Sequence, residues 1–412
     1  MQTNLADWIK DTPEGREADA ILRKCVHCGF CLATCPTYNL LGDELDSPRG
    51  RIYLMKQVLE GASVTVRTQV HLDRCLTCRA CETTCPSGVQ YGRLVDIGRE
   101  VVEKKVPRGF LDRVFRRLLR FAFLSRPLFA SGVAMGRALR PLLPAALARQ
   151  VPPRREAGTW PAARHARRMI VLDGCVQPTL APDINAATAR VLDRLGISLV
   201  SVPQAGCCGA IEYHLNAQDA ALARIRRQID AWWPQVEAGA EAIVITASGC
   251  GTMVQDYGHL LASDPAYATK AARITELAKD VGQVVAAERE GLAKLLAGKA
   301  PVAQPLAYYA PCSLQHGLKQ KGIVEAILRE AGFPLAFVPD SHVCCGSAGT
   351  YSILQPELAG RLLANKVQAL ESGGAAAICT SNIGCLLHIE SGASKPVSHW
   401  IELLDKRLAT GG

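Results

Sequence analysis

Aromatic side chains are scarce in this chain: five Trp, nine Tyr and eight Phe make up 5% of 412 residues. Its cores must therefore be assembled from Ala, Val, Leu and Ile, and a hydrophobic content of 49% supplies them. Long apolar runs are missing as well. No stretch of about 18 or more uncharged apolar residues occurs, so no single helix is expected to span a membrane. No secretory signal is visible, because Asp7, Lys10, Asp11 and Glu14 interrupt the first residues. Acids are nearly absent from 104–155, where 13 Lys plus Arg accompany one acid, Asp112, for a local charge of +12. The whole chain carries +9, so the remainder sums to about −3. Basic character confined to one segment argues against a nucleic-acid-binding protein.

What the chain has in quantity is cysteine, 17 in all. Cys25, Cys28, Cys31 and Cys35 stand in C-V-H-C-G-F-C-L-A-T-C-P; Cys75, Cys78, Cys81 and Cys85 stand in C-L-T-C-R-A-C-E-T-T-C-P. A lone C-x2-C is shared by zinc ribbons and thiol redox sites. Two full C-x2-C-x2-C-x3-C-P runs are far more specific, and they match bacterial two-cluster ferredoxins. In that pattern three thiolates wrap one cube and the fourth reaches the other. The expected ligand sets are therefore Cys25, Cys28, Cys31 and Cys85 for one [4Fe–4S] cluster, and Cys75, Cys78, Cys81 and Cys35 for the second. Pro36 and Pro86 turn the chain away after the last thiolate of each run. Thiolate ligation requires a reducing compartment, which points to a cytosolic protein or one on the cytosolic face of a membrane.

At roughly 150 residues per domain the chain holds more than one. The spacing predicts a helix from Pro13 capped by Thr12 or Asp11, and another from Pro48 capped by Ser47 with Ile52, Met55 and Leu59 on one face. Residues 1–104 form a small, largely helical ferredoxin-like domain whose fold depends on its clusters. Residues 105–165 are a basic helical connector ending in a Pro-rich linker. Over 110–124, Leu111, Phe115, Leu118 and Ala122 share a stripe with Arg113, Arg116, Arg117 and Arg120 largely elsewhere. Such a helix packs on its own protein or a partner with solvated arginines; the rival reading lays it on an anionic membrane surface.

From 166 onward one unit occurs twice, over 166–300 and 301–412. Each copy alternates predicted strands (167–173, 197–202 and 242–247; then 306–310, about 335–338, and 375–381) with helices. Cys175, Cys207 and Cys208 recur at Cys312, Cys344 and Cys345 with an offset of 137; Cys250 recurs at Cys385 with an offset of 135. Near-equal offsets mark an internal duplication. Alternating strands and helices imply parallel sheets, and ligands gather beyond the strand carboxyl ends. Four thiols should thus converge in each copy as a metal or redox site. Cys379, inside a predicted strand, is read as core. His214, His259, His316 and His388 are isolated, and no catalytic acid–base constellation is found. The fold class is α+β multidomain: a ferredoxin domain followed by two duplicated α/β C-C-G domains.

With D-T-P-E-G-R-E-A-D-A-I-L-R-K-C-V-H-C-G-F-C at 11–31, L-L-G-D-E-L-D-S-P-R-G-R-I-Y at 40–53 and H-L-D-R-C-L-T-C-R-A-C-E-T-T-C-P-S-G-V at 71–89, the chain resembles bacterial glycolate oxidase iron–sulfur subunits. More widely it is similar to the cysteine-rich C-C-G family, with heterodisulfide reductase subunits and the iron–sulfur subunits of anaerobic glycerol-3-phosphate and lactate dehydrogenases. The resemblance implies an electron-transfer subunit, not catalytic alone, in complex with an FAD subunit and a second flavin-type subunit. The FAD subunit would oxidise glycolate to glyoxylate, with D-lactate as an alternative substrate and a membrane quinone as acceptor. No flavin is expected on this chain, since no predicted strand leads into G-x-G-x-x-G. The family motif ends in C-x-x-C, giving five cysteines per copy. Here Ala247 (or Met253) and Asn382 (or His388) stand at the partner position, leaving four thiols per copy. Four suffice for a cubane cluster or a zinc ion. A vicinal-thiol, disulfide-reducing enzyme is the rival class. The amides near Gly29 and the His27 side chain are candidate donors to cluster sulfurs, with His27 as an exposed loop residue the favoured reading of its ring.

Overall fold

The computed structural model describes residues 1–144, 148 and 151–409. Its N-terminal part is helical throughout: α1 Pro13–Lys24, α2 Pro36–Leu41, α3 Pro48–Leu59, α4 Val66–Asp73, α5 Ala80–Thr84 and α6 Tyr91–Lys105. The caps are those the sequence predicts. Thr12 accepts from the amide of Gly15, and Ser47 from that of Gly50. Pro36 opens α2 at its first turn, immediately after Cys35. Ile52, Met55 and Leu59 face the core with Ile21, Leu22, Leu94 and Val95. The α3–α6 contact is close: a Cβ on Gly98 would collide with the Met55 sulfur.

Two helices follow, α7 Phe110–Leu124 and α8 Arg126–Leu139. The C-terminal part holds two parallel sheets. The first comprises β1 Arg167–Val171, β2 Ile197–Ser201, β3 Ile243–Ile245 and β4 Ala278–Asp280, ordered β2-β1-β3-β4. The second comprises β5 Leu306–Tyr309, β6 Ala377–Thr380 and β7 Val397–His399, ordered β5-β6-β7. The strand predicted near 335–338 is absent. A single parallel bridge, Leu306 to Leu335, marks its place beside β5, where β2 lies beside β1. Pro334 and Pro339 bracket it and withhold two amides. With that bridge counted, the strand orders coincide, and the duplication is structural.

The copies are intertwined. The last helix of the second, Trp400–Ala409, packs on the first helix of the first, Asp183–Arg194; reciprocally, Val281–Ala287 packs on Ile323–Glu330. His399 Nε2 lies 3.1 Å from the Thr246 carbonyl, and Ser248 meets Ser313 at 2.7 Å. One hydrophobic cluster runs through both units, from Val171 and Leu192 to Trp400 and Leu404.

Asp280 ends β4 and caps the helix Val281–Ala287. One carboxylate oxygen accepts from Gly282 N at 2.8 Å, and the other is buried without a partner. Burial pushes this carboxyl up to about 7. An acid raised above its unfolded value is neutral in the fold and ionised in the unfolded chain, so its stabilisation is intact at low pH. It is lost between about pH 4 and 7, at about 1.4 kcal/mol per pH unit. Asp280→Asn keeps the Gly282 bond and cannot ionise. It is expected to stabilise the fold by up to about 4 kcal/mol at pH 8 and not at pH 4. Denaturant unfolding at both pH values checks this; an equal effect at both would refute it.

Candidate iron–sulfur and cysteine sites

The eight N-terminal cysteines form two adjoining cavities. The first is lined by Cys25, Cys28 and Cys31 together with Cys85 from the other run. The second is lined by Cys75 and Cys78 together with Cys35, and Cys81 lies between the two, lining both. The sulfurs thus surround open volume instead of closing on a point, as a donor set for a polynuclear cluster must. Chain geometry produces the exchange: Cys35 and Cys85 each lie past a short turn, at the head of α2 and the tail of α5.

The loops repeat in backbone as well as in sequence. His27 and Thr77, each two residues past the first cysteine, have φ of 60° and 51°; Gly29 and Arg79, two further on, have 87° and 58°. Non-glycine residues adopt such angles at a cost of about 1–3 kcal/mol, tolerated where the surroundings fix them. The result turns amides inward. Thr77 N donates to Cys75 Sγ at 3.4 Å, and the His27 amide donates to Cys25. His27 therefore contributes its backbone; its ring packs edge-on against Tyr53.

The second cavity has a buried polar wall that sequence reasoning missed. Tyr91 Oη donates to Cys75 Sγ at 3.6 Å, and Thr37 Oγ1 lies 3.4 Å from Cys35 Sγ. Arg51, 1% exposed, reaches Thr37 at 3.1 Å and Asp46 at 3.2 Å. Burial by itself would lower its proton affinity, but Tyr91, Cys75, Cys35 and Asp46 hold it charged. Tyr91 could have been suspected only from its place six residues past Cys85. In the first cavity, burial pushes the Cys31 thiol up to about 11, so metal binding there must displace protons.

Each C-C-G unit gathers its four thiols. Cys175, Cys207, Cys208 and Cys250 form a hydrogen-bonded chain in which Cys175 and Cys208 donate to Cys207, holding it well below the usual thiol range. In the second copy Cys312 Sγ lies 3.8 Å from Cys344 Sγ, and Cys344 and Cys385 donate to Cys345, which is held low in the same way. The vicinal cysteines of the second copy follow irregular backbone, because the strand expected before them did not form. Cys250 and Cys385 sit in the helices Ser248–Gln255 and Ile383–Glu390 that follow β3 and β6. The glycine of C-C-G has a steric cause: Gly346 has φ of 92°, and a Cβ there would lie 2.7 Å from the Ala359 carbonyl. Asn382, one of the two positions at which the resemblance would put a fifth cysteine, donates Nδ2 to Cys385 Sγ at 3.4 Å. Ala247, its counterpart, is buried core, as is Cys379.

The second quartet adjoins the second cavity. Cys78 and Cys312 pack into one small cluster with Leu76, Cys344 and Tyr351, and their charges would repel. Tyr351 Oη donates to the Arg74 carbonyl at 3.1 Å, and Thr83 meets His316 Nδ1 at 2.8 Å. The first unit docks through Arg79 and Asp256 at 2.8 Å. His214 and His259 pair with Asp96 and Glu17, at 3.8 and 3.3 Å, in the same interface. His388, with Nε2 unpartnered, lies beside Cys345. His214 and His259 line one pocket with Glu17, Asp96 and Asp256, and neither His316 nor His388 belongs to that lining.

The family model of the 4Fe-4S dicluster domain matches residues 21–89, and that of the cysteine-rich domain matches 169–255 and 306–390. The chain is 54% identical over 410 residues to the glycolate oxidase iron-sulfur subunit of Escherichia coli (strain K12), covering 99% of each. It is 30% identical over 425 residues to the probable glycolate oxidase iron-sulfur subunit of Bacillus subtilis (strain 168), covering 94% of this chain and 92% of that one. Lactate utilization protein A of Exiguobacterium sp. is 28% identical over 246 residues, 56% of this chain and 94% of that protein. Two cysteine-lined cavities and two thiol quartets on duplicated sheets, with near-full-length identity, lead to one conclusion: the chain belongs to the family of glycolate oxidase iron–sulfur subunits.

Proposed function

We propose that this chain carries electrons, one at a time, from an FAD subunit that oxidises glycolate to glyoxylate, through two [4Fe–4S] clusters, towards a membrane quinone. The observation that carries the reading is the crossed lining of the two cavities, with Cys78 of the second set against Cys312 of a C-C-G quartet. Cys25, Cys28, Cys31 and Cys85 would hold the first cluster, and Cys35, Cys75, Cys78 and Cys81 the second. A bound cluster supplies one-electron storage; the protein supplies its tuning. Inward amides and the Tyr91 hydroxyl donate to sulfur, and Arg51 offsets added negative charge at the second site. Glycolate gives up two electrons and two protons; the flavin releases the protons to solvent as its electrons leave one at a time, and reduction of the quinone to quinol takes up two protons. A second flavin-type subunit completes the complex. D-lactate is proposed as a further substrate of the whole; the likeness to lactate utilization protein A supports lactate as a class, without a handedness. Its proposed location is the cytoplasm, peripheral on the inner face of the membrane, and thiolate ligation supports the reducing compartment of that reading.

The isolated chain is expected to lack glycolate dehydrogenase activity and to restore it to the flavin subunits; turnover by this chain alone sinks the proposal. The C-C-G quartets are proposed as additional metal or redox sites. Anaerobic iron and sulfide counting with EPR, on wild type and on Cys175→Ser/Cys312→Ser, discriminates the occupants. About eight irons in both leaves the quartets to zinc or free thiols, and more than eight, falling in the double variant, gives them iron. Fewer than about eight in the wild type would remove the two-cluster assignment.

A further inference from the structure

Neither α7 nor α8 contains a buried residue, although each is at least 14 residues long. Of 19 large hydrophobic side chains exposed among the described residues, nine lie between Phe110 and Leu142. That concentration makes the connector unlike the rest of the surface. Phe110, Leu111, Phe115, Leu118 and Phe121 are 45–79% exposed. At about 100° per residue they occupy one arc of α7, roughly 140° wide. Arg113, Arg117 and Arg120 follow along one edge of that arc.

The cations of this segment are sorted. Arg108 and Arg116 turn inward, to Asp73 and Asp112, and Arg108 also to Glu103. No ion pair engages Arg113, Arg117 or Arg120 among the described residues. Leu124 packs against the core of the first C-C-G unit, so α7 is fixed to the body with its apolar arc outward. The stripe that periodicity reads as a packing face is turned to solvent.

Neither helix alone is long and apolar enough to span a membrane. Fifteen residues measure about 22 Å against a hydrocarbon core of about 30 Å, and the chain bends by 95° between the two helices. We propose that α7 is an in-plane membrane-binding helix. Phe110, Leu111, Phe115, Leu118 and Phe121 enter the acyl boundary while Arg113, Arg117 and Arg120 meet anionic phospholipid headgroups. Charge selects this occupant: the surrounding 104–155 segment carries +12 with one acid, already paired. The proposal is independent of what occupies the cysteine sites.

The test is flotation of the anaerobically prepared full-length chain with phosphatidylcholine vesicles, with and without about 30 mol% phosphatidylglycerol. Wild type is expected to float with the anionic vesicles at least about tenfold more than with the neutral ones, and to be released by high salt. Leu118→Glu/Phe121→Glu and Arg113→Glu/Arg117→Glu should each cut flotation about tenfold at unchanged iron content and circular dichroism. Wild type that stays in the dense fraction overturns the proposal, as do variants that float like wild type. Loss of co-purification with the flavin subunits at unchanged flotation would assign the face to a protein partner, and overturns it too.

Discussion

Cys85→Ser is expected to disable the cluster of the first cysteine run while sparing that of the second, to which Cys85 belongs in sequence. Cys85 lines the cavity of Cys25, Cys28 and Cys31, and it is absent from the lining of the other. Iron should fall by about four per chain, because three thiolates and a serine hold a cube poorly. Electron delivery from glycolate to an external acceptor should fall on the order of a hundredfold or more, since the wire is cut. Bleaching of the partner's flavin by glycolate should persist. Cys35→Ser should do the same to the other cavity, and the two losses should remove different EPR signals. The same signal lost in both variants, or loss of the Cys75 set in Cys85→Ser, would end the crossed assignment. Cys25, Cys75 and Cys81 are also part of the helical core, so each variant should melt earlier as well.

Cysteine spacing carries much of this site, because thiolates that share a cluster must return at fixed intervals along the chain. The helix starts at Thr12–Pro13, Cys35–Pro36 and Ser47–Pro48 are legible for a similar reason: caps are local chemistry. The repeat of Cys175, Cys207 and Cys208 at a constant offset announces the duplicated sheets. What escapes are relations between distant residues. Nothing local connects Cys78 to Cys312, Tyr91 to Cys75 or Tyr351 to Arg74. β4 and β7, three residues each, are too short for a period to register. The segment at 335–338 reads as a strand by composition and fails for want of partners at an edge bounded by prolines. Periodicity finds the stripe on α7 but cannot say which side of it meets protein.

Arg51→Met is expected to destabilise the N-terminal part by about 3–5 kcal/mol, the range for removing one partner from a buried ion pair. Asp46 is fully buried at the centre of this cluster, where Arg51, Arg74 and His71 Nδ1 approach it at 3.2, 2.8 and 3.0 Å. Arg51 also donates Nε to the His71 carbonyl at 2.7 Å, so it clamps α3 to α4 beside the second cavity. Arg74 remains in the variant, which favours the lower end of the range. A second effect is electrostatic. Reduction adds negative charge near Cys35 and Cys75, and removing the neighbouring cation should shift the potential of that site negative, on the order of tens of millivolts. Asp46→Asn/Arg51→Met separates the two effects. Neutralising both partners leaves no uncompensated buried charge, so much of the stability should return. The cation is gone but so is the Asp46 anion beside Cys35, so the potential should return part of the way towards wild type. Denaturant unfolding and a redox titration on the same three proteins decide the matter. A double variant as unstable as the single one would mean that Arg51 acts through packing and its carbonyl bond, and a potential unchanged in both would remove it from the tuning of the cluster.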